Sequence, residues 1–504
     1  MKPFASRQES CGHETCLEQC TAMPSVIGVG HASKTGGDPD DWLDEEIDHD
    51  AFPDARLGKR FKSLLRDISA RMGNPTPFAC QDWAATKAAY RFFDNPRIDE
   101  GAILSGHFAA TRARFGATSG FVHVLHDTTE FSYQRVRPEL IGQTKETFVG
   151  RDKEGRPQKR TVCGLLMHSS LVVVEGVPLG LGAIKFWTRE KFKGVNALRK
   201  SVNPTRMPIE EKESYRWLEN VRQSTALLGE PRRCVHIADR EGDIYELFSE
   251  ARDIGSHFLI RASVDRMAGE EGGTVAKEMA KTGAAGVHRI EVRDRDGKAR
   301  VAELQVKHAR MTLHPPLGKQ NRYPTLELTV IHAYEENPPA GVERLEWKLL
   351  TDLPVESFQK AVEKLEWYAQ RWKIETFHKI LKSGCKAEES KLRTAERLIC
   401  QLSVYCVVSW RIFWLCMVNR AAPDTPADAV FTATEIHILA RLPPRTVSGN
   451  GMSAVADCLN AVARLGGYLA RRRDPPPGNL VLWRGFKRLV DIHLGFALAR
   501  NNCG

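Results

Sequence analysis

The sequence has no glycine-rich phosphate loop and no Walker motif, which excludes the common nucleotide-cradling folds. It lacks an apolar export segment: residues 1–25 are polar and punctuated by proline, glycine and cysteine. Cysteine is sparse and unpatterned, 12 in 504 residues. No disulfide framework is expected, and the thiols are read as free in a reducing compartment. Cys11, His13, Cys16 and Cys20 crowd together, but zinc sites normally add a distant second pair, and none follows. The one long apolar run is residues 399–418, ICQLSVYCVVSWRIFWLCMV. Its length suits a bilayer. Arg411 stands in its middle, and a charge in lipid is costly. A buried helix is therefore expected, with no membrane association.

Hydrophobic residues make up 42% and charged residues 27%, the balance of a globular chain with a sizeable core. The length suggests about three domains at roughly 100–200 residues each. Lys and Arg number 73 and Asp and Glu 63, so the net charge is 73 − 63 = +10. A basic excess favours a polyanionic partner, because each cation that meets a phosphate releases a condensed counterion.

Residues 1–40 show little periodicity and read as a flexible leader. In residues 41–118, Leu57, Phe61, Leu64 and Leu65 recur at helical spacing, with Lys59, Arg60, Lys62 and Arg66 among them. A second helix, TKAAYRFFDNP at 86–96, runs into an Asn-Pro stop. A small helical unit with basic faces suits DNA, and Lys59 and Arg60 are candidate contacts. FVHVLHDTTEFSY at 121–133 predicts a buried strand, with further strands at 162–174 and 179–187. CVHIADREGDIYELF at 234–248 predicts a short strand running into a helix. Residues 256–353 are rich in strand and turn patterns. A long helix is predicted from Phe358 to about Lys382, and helices dominate afterwards. The order is not a Rossmann repeat. It predicts an α/β fold with a mixed-sheet core and an inserted β-domain.

Three acids fall where elements end. Asp127 follows the strand FVHVLH, Asp239 follows CVHIA, and Glu375 lies on the long helix. Carboxylates suit Mg²⁺ or Mn²⁺, hard cations that prefer oxygen. A two-metal site can activate water and stabilise the leaving oxygen of a phosphodiester. Each acid alone is more often a cap or a turn residue than a catalytic group. On the segment YAQRWKIETFHKILK, 368–382, Tyr368, Arg371, Glu375 and Lys382 fall within roughly 60° on a helical wheel. Trp367, Ile374, Phe377 and Leu381 fall on another side, as a core stripe. An acid among two bases and a phenol suits a phosphate-gripping face, since all three partners can contact phosphate oxygens.

The pattern Y-x-x-R-x-x-x-E-x-x-x-x-x-x-K resembles the helix signature of the DDE transposases of insertion-sequence family four. The likeness extends over nearly the whole chain after residue 41. HDTTEFSY and ADREGDIYELF resemble the family's first-Asp and second-Asp motifs, and NPPAGVERLEWKLLTDLPVES (337–357) resembles the stretch before the signature helix. AYRFFDNP resembles its N-terminal DNA-binding unit, and ARLGGYLARRRDPPPG with LWRGFKRLVD resembles its C-terminal dimerisation region. The leader has no counterpart in the family pattern.

The resemblance implies a ribonuclease-H-like core at 119–255 and 354–400, with the inserted β-domain at 256–353. A helical DNA-binding domain (41–118) and a helical dimerisation domain (401–504) would flank it. Asp127, Asp239 and Glu375 would hold two Mg²⁺ ions, with Mn²⁺ able to substitute. Tyr368, Arg371 and Lys382 would grip the DNA backbone, Trp347 would stack a flipped base, and Arg240 would face phosphate. The implied function is cut-and-paste transposition by a homodimer. It would act on the double-stranded inverted repeats of a mobile element and on target DNA, in the bacterial cytoplasm at the nucleoid. The alternative is a catalytically silent DNA-binding repressor or domesticated transposase.

Overall fold

The structure, a computed structural model, describes residues 41–152, 154–189, 207–269, 272–293, 299–442, 452–471 and 474–501. The leader, with Cys11, His13, Cys16 and Cys20, lies outside the described residues. The chain divides into a larger unit, residues 23–233 with 373–504, and a smaller unit that includes residues 234–372. The divisions at 233/234 and 372/373 differ from the boundaries expected at 255/256 and 353/354.

The larger unit opens with helices α1 (Asp41–Glu45), α2 (Ala55–Ala70), α3 (Thr76–Cys80), α4 (Trp83–Phe93) and α5 (Glu100–Gly116). Asp54, Asp82 and Asp99 start α2, α4 and α5, each side chain accepting a backbone N–H of the first turn. The stripe Leu57, Phe61, Leu64, Leu65 and Ile68 is buried, and the rings of Phe61 and Phe92 stack at 5.9 Å. A buried charge cluster fixes this bundle. Glu46, 1% exposed, pairs with Arg114 and with His107 Nδ1. Arg114 also donates to Leu179 O at 3.0 Å, and His107 Nε2 accepts the Leu181 N–H at 3.0 Å.

Strands β1 (Val122–Ser132), β2 (Gln143–Arg151), β3 (Pro157–Val174) and β4 (Val177–Trp187) follow. β3 pairs antiparallel with β2 through its first third, then with β1 on one side and β4 on the other. Helix α6 (Tyr215–Leu228) packs on β3 and β4. β1, β3 and β4 match the expected positions, with β3 beginning earlier than expected, whereas β2 was not expected.

In the smaller unit, β5 (Cys234–Ala238), α7 (Tyr245–Asp253) and β6 (His257–Arg261) form a parallel pair with its crossover helix. After α8 (Val275–Lys281) come β7 (Gly286–Arg293), β8 (Ala299–Leu313), β9 (Leu326–Glu335) and β10 (Glu346–Thr351). The order β5-β6-β10-β9-β8-β7 makes a mixed sheet, antiparallel from β6 onward. β6 and β10, expected in an insertion, continue the sheet from β5: β6 pairs with β5, and β10 pairs with β6. α9 (Phe358–Ala369) follows.

The expected single helix from Phe358 to Lys382 is three pieces. α9 ends at Ala369, α10 spans Trp372–Lys379, and a π-helical turn covers Ile380–Gly384. The break has a local cause: Gln370 N–H bonds Trp367 O and Arg371 N–H bonds Tyr368 O, three residues back instead of four. At the other end Cys385 N–H reaches five residues back to Ile380 O, at 3.1 Å. A wheel of constant angle therefore fails across this segment. Ile374, Phe377 and Leu381 are buried as expected, but so is Tyr368, whereas Trp367 is half-buried.

The larger unit ends with α11 (Ala395–Ala421), α12 (Ala433–Arg441), α13 (Val455–Leu465) and α14 (Asn479–Asn501). α11 is long and apolar enough to cross a membrane, but 89% of its apolar window is buried inside the protein. Arg411 lies against the rings of Trp414 and Trp42 at 4.7 and 5.4 Å. Loss of hydration, with Arg114 nearby, lowers its guanidinium to about 10.

Candidate active site

Asp127 stands mid-strand in β1, opposite Ser169 of β3. Its Oδ1 accepts the Thr128 N–H at 2.9 Å, and its side chain is 19% exposed. His378 from α10 approaches Oδ2 with Nδ1 at 3.5 Å, and its Nε2 is held by Ser169 Oγ at 2.8 Å. The strand partner of Asp127 thus fixes the ring that faces its carboxylate. Beside it, Thr128 Oγ1 is 2.9 Å from His168 Nδ1 and accepts from Arg216 Nε at 3.3 Å. Burial, reinforced by Arg216, holds the His168 imidazole well below the usual histidine range, so it stays neutral. Asp127 therefore rests on a polar bed of histidine, serine and threonine, set in a strand whose first half is fully buried.

Glu375 is half-buried in the first turn of α10. It lies three residues before His378, and residues three apart on a helix share a face. The face that meets Asp127 through His378 thus also carries Glu375. Lys382 sits in the π turn, with its ammonium 5.7 Å from the Phe131 ring centre. Burial lowers its pKa, against the pull of Glu388, Glu130 and Asp127 towards the charged form. All these groups belong to the larger unit.

Asp239, Tyr368, Arg371, Trp347 and Arg240 belong to the smaller unit. Asp239 follows β5 and caps a single 3-10 turn, with Oδ1 accepting the Glu241 N–H at 2.9 Å. The turn is anchored by Asp243. That carboxylate accepts the Ser263 and Val264 N–H groups at 2.6 and 3.1 Å and pairs with Arg266, Nη2 at 2.5 Å. Tyr368 is buried edge-on to Trp347, ring centres 5.9 Å apart. Burial pushes its phenol up; Asp239 adds to this, while Arg371 and Arg261 oppose it. Asp239, Tyr368, Arg371 and Arg261 are thus electrostatic neighbours. Beside them a cavity of about 200 Å³ is lined by Arg240, Arg261, Ser263, Asp265, Glu346 and Lys348.

The structure therefore gathers the predicted residues into two clusters, one per unit. Among the described residues, no three His, Cys, Asp or Glu side chains form a metal-holding group. The donors themselves suit a hard cation, being part-exposed carboxylates that offer oxygen ligands. Sequence reasoning passed over His378 and Arg261. His378 was legible as an imidazole three residues beyond Glu375, and Arg261 as a cation ending the buried strand HFLIR.

In the N-terminal bundle, Lys59 is exposed and Arg60 half-buried on α2. α3 and α4 join through Gln81, whose φ of 60° makes a sharp corner. On α4, Trp83, Lys87, Tyr90 and Arg91 are all exposed, Trp83 by 77%. Their spacing of four, three and one places them on one side of the helix. On α14, Leu480 and Leu494 are about half exposed.

Comparison with known families agrees with both ends of the chain. Residues 39–98 match the family model for transposase DNA-binding. Residues 407–503 match the family model for the Tn5 transposase dimerisation domain. Together they support a DNA transposase of the Tn5 type, with DNA and a second copy of the chain as its partners.

Proposed function

We propose that the chain is a cut-and-paste DNA transposase of insertion-sequence family four, acting on the inverted ends of a mobile element in the bacterial cytoplasm. The observation that carries this reading is His378. Its Nδ1 lies 3.5 Å from the carboxylate of Asp127, so α10, which bears Glu375, packs against the strand of the first acid. Asp127, Asp239 and Glu375 would hold Mg²⁺ or Mn²⁺, which when bound polarises a water and neutralises charge on the phosphodiester.

The protein's own groups do the rest. The exposed face of α4, with an indole, a phenol, an ammonium and a guanidinium, is built to lie along duplex DNA. The start of such a helix reads base edges. Lys59 adds a phosphate contact from α2. Arg371 and Arg261 present donors to phosphate oxygens near Asp239, and Lys382 does so near Asp127, while Tyr368, buried edge-on to Trp347, steadies that ring. Trp347 offers an aromatic face for a base drawn out of the stack. His378, pinned by Ser169, keeps Asp127 aimed at its ligand. No side-chain nucleophile is needed, because a water and then the freed 3′-hydroxyl attack phosphorus. On α14, the exposed leucines supply apolar surface for pairing two copies.

The test uses the purified full chain, Mg²⁺ and a plasmid bearing the element's ends. The expected result is nicking, hairpin formation and strand transfer by wild type, all lost in Glu375→Ala. End binding by wild type with none of these products would overturn the enzymatic reading in favour of a silent DNA-binding protein.

A further inference from the structure

Beyond Thr144, which is buried against Glu130 and Arg189, β2 and the first part of β3 form a two-stranded ribbon that no other element covers among the described residues. Among the described residues, residues 157–162 of β3 pair only with β2: Cys163 O already accepts the Tyr133 N–H, β1 joins at Gly164 and β4 at Leu166. Alternate residues of a strand face opposite sides. Residues 157–161 are nonetheless all exposed, so neither face of the ribbon is packed. On β2, Phe148 and Val149 are 60% and 61% exposed. A two-stranded ribbon has little stability of its own in water, so one this long and this bare suits an external partner.

Its charge indicates which kind. Between residues 143 and 161 stand Lys145, Arg151, Lys153, Arg156, Lys159 and Arg160, against Glu146, Asp152 and Glu154. Lys145 pairs with Glu130, Arg156 with Asp152 and Glu154, and Lys159 with Glu146. Arg160 has no ion pair among the described residues, and Arg151 donates only to Gly155 O, at 2.9 Å. The ribbon thus carries a positive surplus, with two exposed guanidinium groups that form no ion pair among the described residues. Strand addition by another protein is disfavoured, because bulges at Gln143/Lys145 and Phe148/Gly150 distort the open edge and charges line it.

Position supplies the last element. Ser169 opposes Asp127, and Arg160 lies on the same strand nine residues earlier. At ~3.3 Å per residue that is about 30 Å, close to one turn of a DNA duplex. We propose that the ribbon from Lys145 to Thr161 is a DNA-binding arm. It docks on the duplex about one helical turn from the phosphate served by Asp127. Arg151 and Arg160 contact phosphates, and Phe148 and Val149 lie against sugars in the groove. A two-stranded ribbon has the width to enter the major groove.

This rests on the transposase reading, and the experiment separates the two. The full chain and its Arg151→Ala/Arg160→Ala variant are titrated with duplex DNA of arbitrary sequence over a range of salt. Both side chains are exposed, and an unchanged melting curve confirms folding. The expected result is a salt slope of log K lower in the variant by about two, one for each phosphate that no longer meets a guanidinium. Binding by wild type with an unchanged slope in the variant would overturn the arm alone. Failure of wild type to bind any duplex would overturn the DNA reading itself. A Phe148→Ser variant that dissociates a dimer in sedimentation, with the salt slope intact, would assign the ribbon to a second copy and refute the proposal.

Discussion

Asp127 lies within a strand and Asp239 just beyond the end of one, and each is held in place differently. Asp127 depends on tertiary partners: Ser169 across the ladder fixes His378, and His378 faces the carboxylate. Asp239 depends on local backbone: it caps its own turn, and Asp243 ties that turn to residues 263–266. The first acid is thus sensitive to distant side chains, the second to the path of its loop. If both serve one reaction, deleting either carboxylate should be equally damaging, whereas perturbing their supports should not.

The largest effect tests that equality. Asp127→Ala and Asp239→Ala should each lower Mg²⁺-dependent cleavage at least about a thousand-fold, several kcal/mol of transition-state stabilisation. DNA binding should change only a few-fold. Gel assays of nicking and filter binding on the same preparations decide it. Near-normal cleavage by either variant would break the comparison.

The buried ion pairs sharpen it next. Glu46 with Arg114 and His107 serves the larger unit as Asp243 with Arg266 serves the smaller. Removing one partner strands a buried charge, so Glu46→Ala and Asp243→Ala should each cost about 3–5 kcal/mol of stability, read by urea unfolding. Only Asp243→Ala should also disorder the turn bearing Asp239 and lower cleavage beyond its effect on stability. Equal catalytic loss in both stable fractions would refute a local role for Asp243.

A smaller effect falls on the supports. Ser169→Ala leaves His378 without its anchor, and such outer contacts are typically worth about 10–100-fold in metal affinity or activity. Mn²⁺ binding followed by electron paramagnetic resonance should weaken by that amount, with stability nearly unchanged. His378→Gln, which cannot place its amide where Nδ1 stands, should do the same. Unaltered Mn²⁺ affinity in both would show that His378 packs without positioning anything.

How much of this was legible in the sequence follows from the kind of force involved. The helical start, the strands around Asp127 and Asp239 and the buried run at 399–418 were readable, because apolar period and caps act locally. The break between α9 and α10 was not. It turns on two hydrogen bonds reaching back three residues at Gln370 and Arg371, which no periodicity announces. Tyr368 was therefore assigned to a projecting face but is buried on Trp347. His378 escaped notice because its role exists only once β3 brings Ser169 beside it. The ribbon at 145–161 read as no strand at all, lacking the alternation that burial of one face imposes.

The smallest effect concerns pH and again sets the units apart. In the smaller unit, His236 on β5 is buried; burial, with His257 nearby, pushes it down to about 3. Its unfolded form takes up a proton near pH 6.5, so between that value and about 3 the unfolded state binds more protons. Stability contributed by the neutral ring is whole above that window and falls as pH drops through it, by at most about 1.4 kcal/mol per pH unit. In the larger unit, burial alone would raise Glu46, but Arg114 and His107 outweigh it and hold the carboxyl below the usual range. That contribution is intact above the ordinary carboxylate pKa, about 4.3, and is lost only as pH falls towards the lower folded value. Hydrogen exchange at β5 amides should therefore quicken between pH 7 and 5, after correction for intrinsic rates. His236→Leu should remove that dependence, whereas Glu46→Gln should leave it in place. A β5 profile as steep in His236→Leu as in wild type would move the origin of the acid sensitivity away from this ring.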